Sequence, residues 1–245
     1  MIILAEIFKV TLDELILERI NVQESQQDLF DSETVYDIDC DKHFDIRIGN
    51  ARKLCIQGCY DEKVHIKLQS EVLENLSSLY KVKIDENKKR LDINCHNKKE
   101  ISQFEAENSL DIIIMLPMNF TEHCEIDASV KELYIENLKL KRLEYDGDAE
   151  AVYIKDAEES LEFTGKTDYD ITIDGTCTQL DVNQWGAKAL IHVADISKYT
   201  FINKGRKSKI YCLKNGAISE EIAGFNGDII ISISGIGSEL IVSDD

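Results

Sequence analysis

Leu133-Tyr134-Ile135, Leu143-Glu144-Tyr145, Val152-Tyr153-Ile154, Leu161-Glu162-Phe163, Ile171-Thr172-Ile173 and Leu180-Asp181-Val182 share one pattern: two apolar residues flank one that points the other way. Their leading residues lie 10, 9, 9, 10 and 9 positions apart, and Ile191/Val193 follows more loosely. Such triplets are too short for helices and fit strands whose alternate side chains face one core. Turn formers separate them, at Asp146-Gly147-Asp148, Asp156, Gly165, Asp174-Gly175 and Asn183. Two short strands per unit of about 19 residues is what a β-solenoid requires, because no single coil buries its apolar face without neighbours.

Upstream of the repeat a period of two begins near Thr34, with strands expected at 35–40, 44–48, 53–57, 63–68, 79–84, 90–95 and 110–116. Asn87-Lys88-Lys89 reads as a hairpin turn, and the polar stretches 71–78 and 97–108 read as surface excursions. The only proline, Pro117, closes the run Leu110-Asp111-Ile112-Ile113-Ile114-Met115-Leu116, since a strand interior would not accept it. Downstream, 228–234 and 239–243 give two more strands, with Gly224, Gly227, Gly235 and Gly237 at turns. An apolar strand ending in Pro, followed by regularly spaced triplets, resembles the bacterial putative-adhesin domains of unknown function. The resemblance covers about residues 34–245 and implies an all-β, single-chain β-solenoid (β-helix) with two short strands per coil.

The first thirty residues differ in kind. Ile3, Leu4, Ile7 and Phe8 recur at helical spacing, and Thr11-Leu12-Asp13-Glu14 forms a capping box that starts a second helix. Val10 and Leu15 supply its hydrophobic staple. The segment Leu4 to Ile16 resembles the last two helices of the phage-repressor-type (Cro-like) helix-turn-helix domain of bacterial transcription regulators. In that family the DNA-reading helix lies upstream of this segment. The resemblance therefore implies a regulator's C-terminal part without its reading helix, while the residues themselves also fit an unrelated amphipathic helical pair capping one end of the solenoid. Residues 21–32 are polar and read as a linker or frayed helix end. The expected organisation is a helical segment over 1–30 and a β-solenoid domain over 31–245.

A net charge of -19, from 47 acidic and 28 basic residues, repels phosphate backbones and anionic membranes and argues against direct nucleic-acid binding. Acids on outward strand faces also discourage edge-to-edge pairing. Seven cysteines are an odd number in a chain too large to need disulfide staples, and Cys95, Cys124 and Cys212 sit in phase with apolar neighbours. That usage predicts seven free thiols and a cytoplasmic home. Residues 1–17 carry Glu6, Asp13 and Glu14 and lack a basic leader, so no signal peptide is read there, and no apolar stretch approaches a membrane span.

Chemistry is sparse. Cys55 and Cys59, with His43 and His65, have zinc-like spacing but no second matching pair, and Cys55 lies between Leu54 and Ile56. Asp146-Gly147-Asp148 offers calcium-type oxygens without the further ligands of a calcium-binding hand. Paired carboxylates for glycoside hydrolysis cannot be told from an acidic ladder by spacing alone. His96 and His123 adjoin cysteines and read as structural, and Trp185, in Asn183-Gln184-Trp185-Gly186, reads either as a surface contact or as a corner plug. No catalytic, cofactor or metal residue is assigned, and the partner-binding residues stay open. The leading expectation is a non-enzymatic regulatory, sensing or self-association module with a protein partner or a second copy. The alternatives are a cell-surface adhesion or structural module and, third, a carbohydrate-active β-helix enzyme.

Overall fold

The computed structural model describes residues 29–98, 100–214, 217–219 and 226–244, so the helical pair expected within the first thirty residues lies outside the described residues. Fourteen strands follow: β1 Phe30–Asp37, β2 Lys42–Cys59, β3 Lys63–Ser70, β4 Tyr80–Asn87, β5 Arg90–Asn97, β6 Asp111–Pro117, β7 Thr121–Gly165, β8 Tyr169–Trp185, β9 Lys188–Val193, β10 Tyr199–Asn203, β11 Lys209–Lys214, β12 Ala217–Ser219, β13 Ile229–Ile236 and β14 Glu239–Ser243. Two short helices interrupt them, α1 Leu76–Leu79 and α2 Gln103–Ser109. No helix among the described residues is long and apolar enough to cross a membrane.

The all-β expectation holds, and the described strands form one large mixed sheet. Its main path runs β1-β3-β6-β2-β7-β8-β9-β14-β11-β12, with β4 and β5 attached at β2, and β10 and β13 at β8. The centre is parallel and the margins antiparallel. The long strands each serve two sets of partners. The first half of β2 pairs with β5 and its second half with β6, while β7 accompanies both. The first part of β8 pairs with β9 and its last part with β13.

Register explains the triplets. Val152 lies beside Ile171, Leu161 beside Leu180, and Ile171 beside Ile191, so apolar residues 19 or 20 positions apart stack in columns. Leu143, Val152, Leu161, Ile171 and Leu180 are all buried, as the alternation predicts. Burial of such side chains contributes about 1.5–3 kcal/mol each.

Left-handed backbone positions recur with the same period. Asn137, Asp156 and Gly175, 19 residues apart, all have positive φ, a conformation open mainly to Gly, Asn and Asp. Asp156 Oδ1 accepts a hydrogen bond from the Thr176 amide at 3.2 Å, which ties Asp156 to the chain beside Gly175. At Gly147 (φ +145°) a Cβ would lie 1.8 Å from the Ala128 carbonyl oxygen, so only glycine lets the two backbones approach. Tyr145 also donates its hydroxyl to that oxygen, at 3.0 Å, and Tyr169 donates to the Gly147 oxygen at 2.5 Å. Burial pushes both phenols well above their ordinary pKa, so they remain donors.

Several local expectations are revised. The strands expected at 44–48 and 53–57 are one strand, β2, which passes through Gly49-Asn50 with a register irregularity between Arg47 and Asn50. Residues 30–32, read as linker, already belong to β1, where they pair with Leu68, Gln69 and Ser70. The 97–108 excursion contains most of α2, started by a Ser102–Glu105 capping box. The Asn87-Lys88-Lys89 turn is confirmed, with Lys88 at positive φ and Asn87 opposite Arg90. Next to that hairpin, Lys42 is almost fully buried, its ammonium held by Glu86 and by the Lys88 carbonyl at 2.8 Å. The outermost β4 carries Lys81, Lys83, Asp85 and Glu86, the charged dressing that blocks further strand addition.

Candidate functional site

Strand segments repeatedly carry a carboxylate between two buried apolar residues, and six of them supply the acids considered next. They are Leu91-Asp92-Ile93, Phe44-Asp45-Ile46, Cys124-Glu125-Ile126, Leu143-Glu144-Tyr145, Leu161-Glu162-Phe163 and Leu180-Asp181-Val182, whose flanking residues are 2% exposed or less. Alternation then turns each carboxylate away from the core. Asp45 lies beside both Asp92 and Glu125, and Glu162 beside Asp181, so the acids form a ladder across neighbouring strands.

Like charges about 4.8 Å apart repel, and a staggered set of cations offsets them. Arg90 bonds Asp92 at 2.6 Å and also Asp45; Arg47 reaches Asp45 at 3.3 Å. Arg142 bridges Glu144 at 2.9 Å and Glu162 at 2.5 Å. At the far end Asp181 meets Lys204 at 3.1 Å, Gln179 at 2.5 Å and the Ser232 hydroxyl. Desolvation pushes the Asp181 carboxyl up, but these hydrogen bonds outweigh it and hold its pKa below the usual value. Half-exposed pairs of this kind contribute about 0–1 kcal/mol each, so the ladder shapes the surface more than it stabilises the fold.

Within the ladder His43 and His123 are direct register partners on β2 and β7, with ring centroids 4.4 Å apart and planes at 61°. Glu125 Oε1 lies 3.4 Å from His43 Nε2, and Glu144 Oε1 lies 3.0 Å from His123 Nε2. One ligand atom each from His43, His123 and Glu125 fall within 4.8 Å of one another. Among the described residues this is the group of His, Cys, Asp and Glu side chains that could hold a metal ion.

The other set of pairings presents different chemistry. Tyr134 and Tyr153 stack with centroids 4.7 Å apart, and the Lys53 ammonium lies 3.8 Å from the Tyr134 ring centre. Trp185 is exposed and lies beside exposed Ile236, so it does not plug the interior. An open groove of about 860 Å³ lies where Asp41, Glu122 and Asp156 face Lys139 and Lys141.

The residues singled out from sequence are mostly kept apart. Cys55 pairs across strands with Ile113 and Tyr134, and burial pushes its thiol up to about 11. Cys59 donates to Asp61 at 3.0 Å, and His65 is held between Glu33 at 3.0 Å and Asp61 at 2.8 Å. His43 sits at the opposite half of β2, so the suspected Cys55, Cys59, His43 and His65 group does not converge. Asp148 accepts from Thr167 at 2.8 Å and Asp146 lines a groove with Asp127 and Glu144, without a gathered calcium ligand set among the described residues. His96 is exposed. The pairing of His43 with His123 was missed because its partners are eighty residues apart. The matching frames Phe44-Asp45-Ile46 and Cys124-Glu125-Ile126 agree with that register without specifying it.

No protein-family profile matches the chain, and no curated protein matches it. Among solved structures the chain is similar to a putative cell adhesion protein from Clostridium sporogenes, at 12% identity and a TM-score of 0.35, covering 87% of this chain and 99% of that one. It is also similar to a putative adhesin from Bacteroides fragilis, at 12% identity and a TM-score of 0.38, covering 87% and 96%. A putative lipid binding protein from Parabacteroides distasonis shows 12% identity and a TM-score of 0.27, covering 86% and 96%. These are distant likenesses.

Proposed function

We propose that this chain is a non-enzymatic structural or adhesive binding module, built as a β-solenoid and acting through its outward side-chain columns on a protein partner or on further copies of itself. The solenoid reading is supported by parallel partners 19 or 20 residues apart and by positive-φ positions with the same period. The observation that carries the functional reading is the ladder from Asp92 to Asp181, a charged surface repeated strand by strand on a core of buried apolar residues. Such a surface offers many weak, regularly spaced contacts, which suits polyvalent recognition more than chemistry on one bond. Cys55, Cys95, Cys124 and Cys177 are buried among apolar side chains, a usage that favours a reducing compartment and makes the structural and self-association forms of the reading the first to test. The regulator reading rests on residues 3–17, outside the described residues, and shares the expectation of a protein partner.

The test is sedimentation velocity of the chain at rising concentration, with a variant carrying Glu144→Lys and Glu162→Lys. Concentration-dependent assembly that the variant alters supports a self-associating module. A monomer at every concentration, with no change in the variant and no retention on bacterial surfaces, contradicts the reading.

A further inference from the structure

We infer that His43, His123 and Glu125 form a binding site for a divalent first-row transition-metal ion of the Zn²⁺ type, bridging strands β2 and β7. Three observations carry it. The donor set is two imidazoles and one carboxylate, which suits Zn²⁺, Co²⁺, Ni²⁺ or Cu²⁺ and not the all-oxygen preference of Mg²⁺ or Ca²⁺. The donor atoms are gathered, one from each residue within 4.8 Å of the others. Zinc–ligand bonds of about 2.0–2.2 Å in a tetrahedron place ligand atoms about 3.3 Å apart, and His43 Nε2 and Glu125 Oε1 are already at 3.4 Å. Finally, His43 Nε2 is shut off from solvent and makes no hydrogen bond to any described residue, although Glu125 is near. A buried ring nitrogen left without a hydrogen bond is costly in a polar protein, and a metal ion would use its lone pair.

The surroundings fit the same purpose. His43 and His123 project from adjacent parallel strands whose neighbouring residues Phe44, Ile46, Cys124 and Ile126 are buried, so the ligand backbones are fixed before any ion arrives. Glu144, 3.0 Å from His123 Nε2 and anchored by Arg142, orients that ring, the role a carboxylate plays behind many metal-bound histidines. Three protein ligands leave a fourth position for water or for a side chain from a partner. The ion would clamp β2 to β7 across a break of eighty residues in the sequence and remove local carboxylate repulsion.

The experiment is calorimetric titration of ZnCl₂ into the tag-free, chelator-treated full chain, beside His43→Asn, His123→Asn and Glu125→Gln, with His192→Asn as the control because His192, 3.1 Å from Asp170, lies outside the ligand group. The expected result is one site per chain, weakened at least tenfold by each ligand substitution and unchanged in the control, with no comparable heat from Mg²⁺ or Ca²⁺. Circular dichroism checks that each variant is folded. X-ray absorption of the Zn-loaded wild type, which needs no variant, should show two imidazoles in the first shell. Absence of Zn²⁺ binding to the wild type, a sulfur-dominated shell, or binding undiminished in folded His43→Asn/His123→Asn protein would overturn the inference.

Discussion

Leu161 and Leu180 are direct partners on the parallel strands β7 and β8, nineteen residues apart and each no more than 1% exposed. Truncating either leaves a cavity in a column closed on both sides. Leu161→Ala is therefore expected to cost about 2–5 kcal/mol in urea unfolding. The neighbouring Glu162→Ala, which removes one contact of Arg142, should cost less than about 1 kcal/mol. Equal effects at the two positions would refute the alternation.

Gly147→Ala places a methyl 1.8 Å from the Ala128 oxygen at a φ of +145°, and this oxygen also receives the Tyr145 hydroxyl. The substitution should cost about 1–3 kcal/mol or more. Gly49→Ala meets nothing within 4 Å and should fall within about 1 kcal/mol of neutral. Thermal midpoints of the two variants provide the comparison.

The His65 ring predicts a pH dependence. Hydrogen bonding to Asp61 raises its pKa above the ordinary 6.5, against desolvation and with help from Glu33. Its contribution is thus fully present below about 6.5 and fades as pH rises through the raised folded value. Asp61, lowered from 3.8 first by the Cys59 thiol and then by His65, contributes above that value and loses it as pH falls through its folded pKa. The stability difference between wild type and His65→Asn should therefore peak between about pH 4 and 6.5 and shrink toward pH 9. A difference that grows with rising pH contradicts the pairing.

Thiol reactivity should be graded. Cys40 is exposed, while burial pushes the Cys95 and Cys177 thiols up to about 12 and Cys124 higher still. A disulfide-exchange reagent at pH 8 should modify Cys40 rapidly and the buried thiols only on unfolding, reaching seven groups in denaturant. Fewer than seven in freshly prepared, unreduced protein would indicate a disulfide.

Between residues 133 and 193 the buried alternation was legible because β7, β8 and β9 follow one another in sequence, but the triplets are not separate strands: Asp146-Gly147-Asp148 and Asp156, read as turns, lie inside β7, and Asp174-Gly175 inside β8. A fixed spacing of apolar pairs then maps directly onto parallel register. The earlier half was harder. β2 finds β7 only after β3, α1, β4, β5, α2 and β6 have intervened, so no spacing rule joins Leu54 to Leu133. β13 likewise docks on the end of β8, with Ile231 beside Leu180. Helix α2 was readable in principle, since Ser102-Gln103-Phe104-Glu105 has the same capping-box pattern found at Thr11–Glu14, but the polar run around it masked the signal. The histidine pair failed for the same reason as β2. Its chemistry depends on a register that local sequence does not encode.

The central claim is that register, and methyl-labelled NMR of the native chain tests it most directly. The account predicts nuclear Overhauser contacts between the methyl groups of Leu161 and Leu180, Val152 and Ile171, and Ile171 and Ile191. Contacts connecting these residues in a shifted register, or no contact between any of the three pairs, would contradict it.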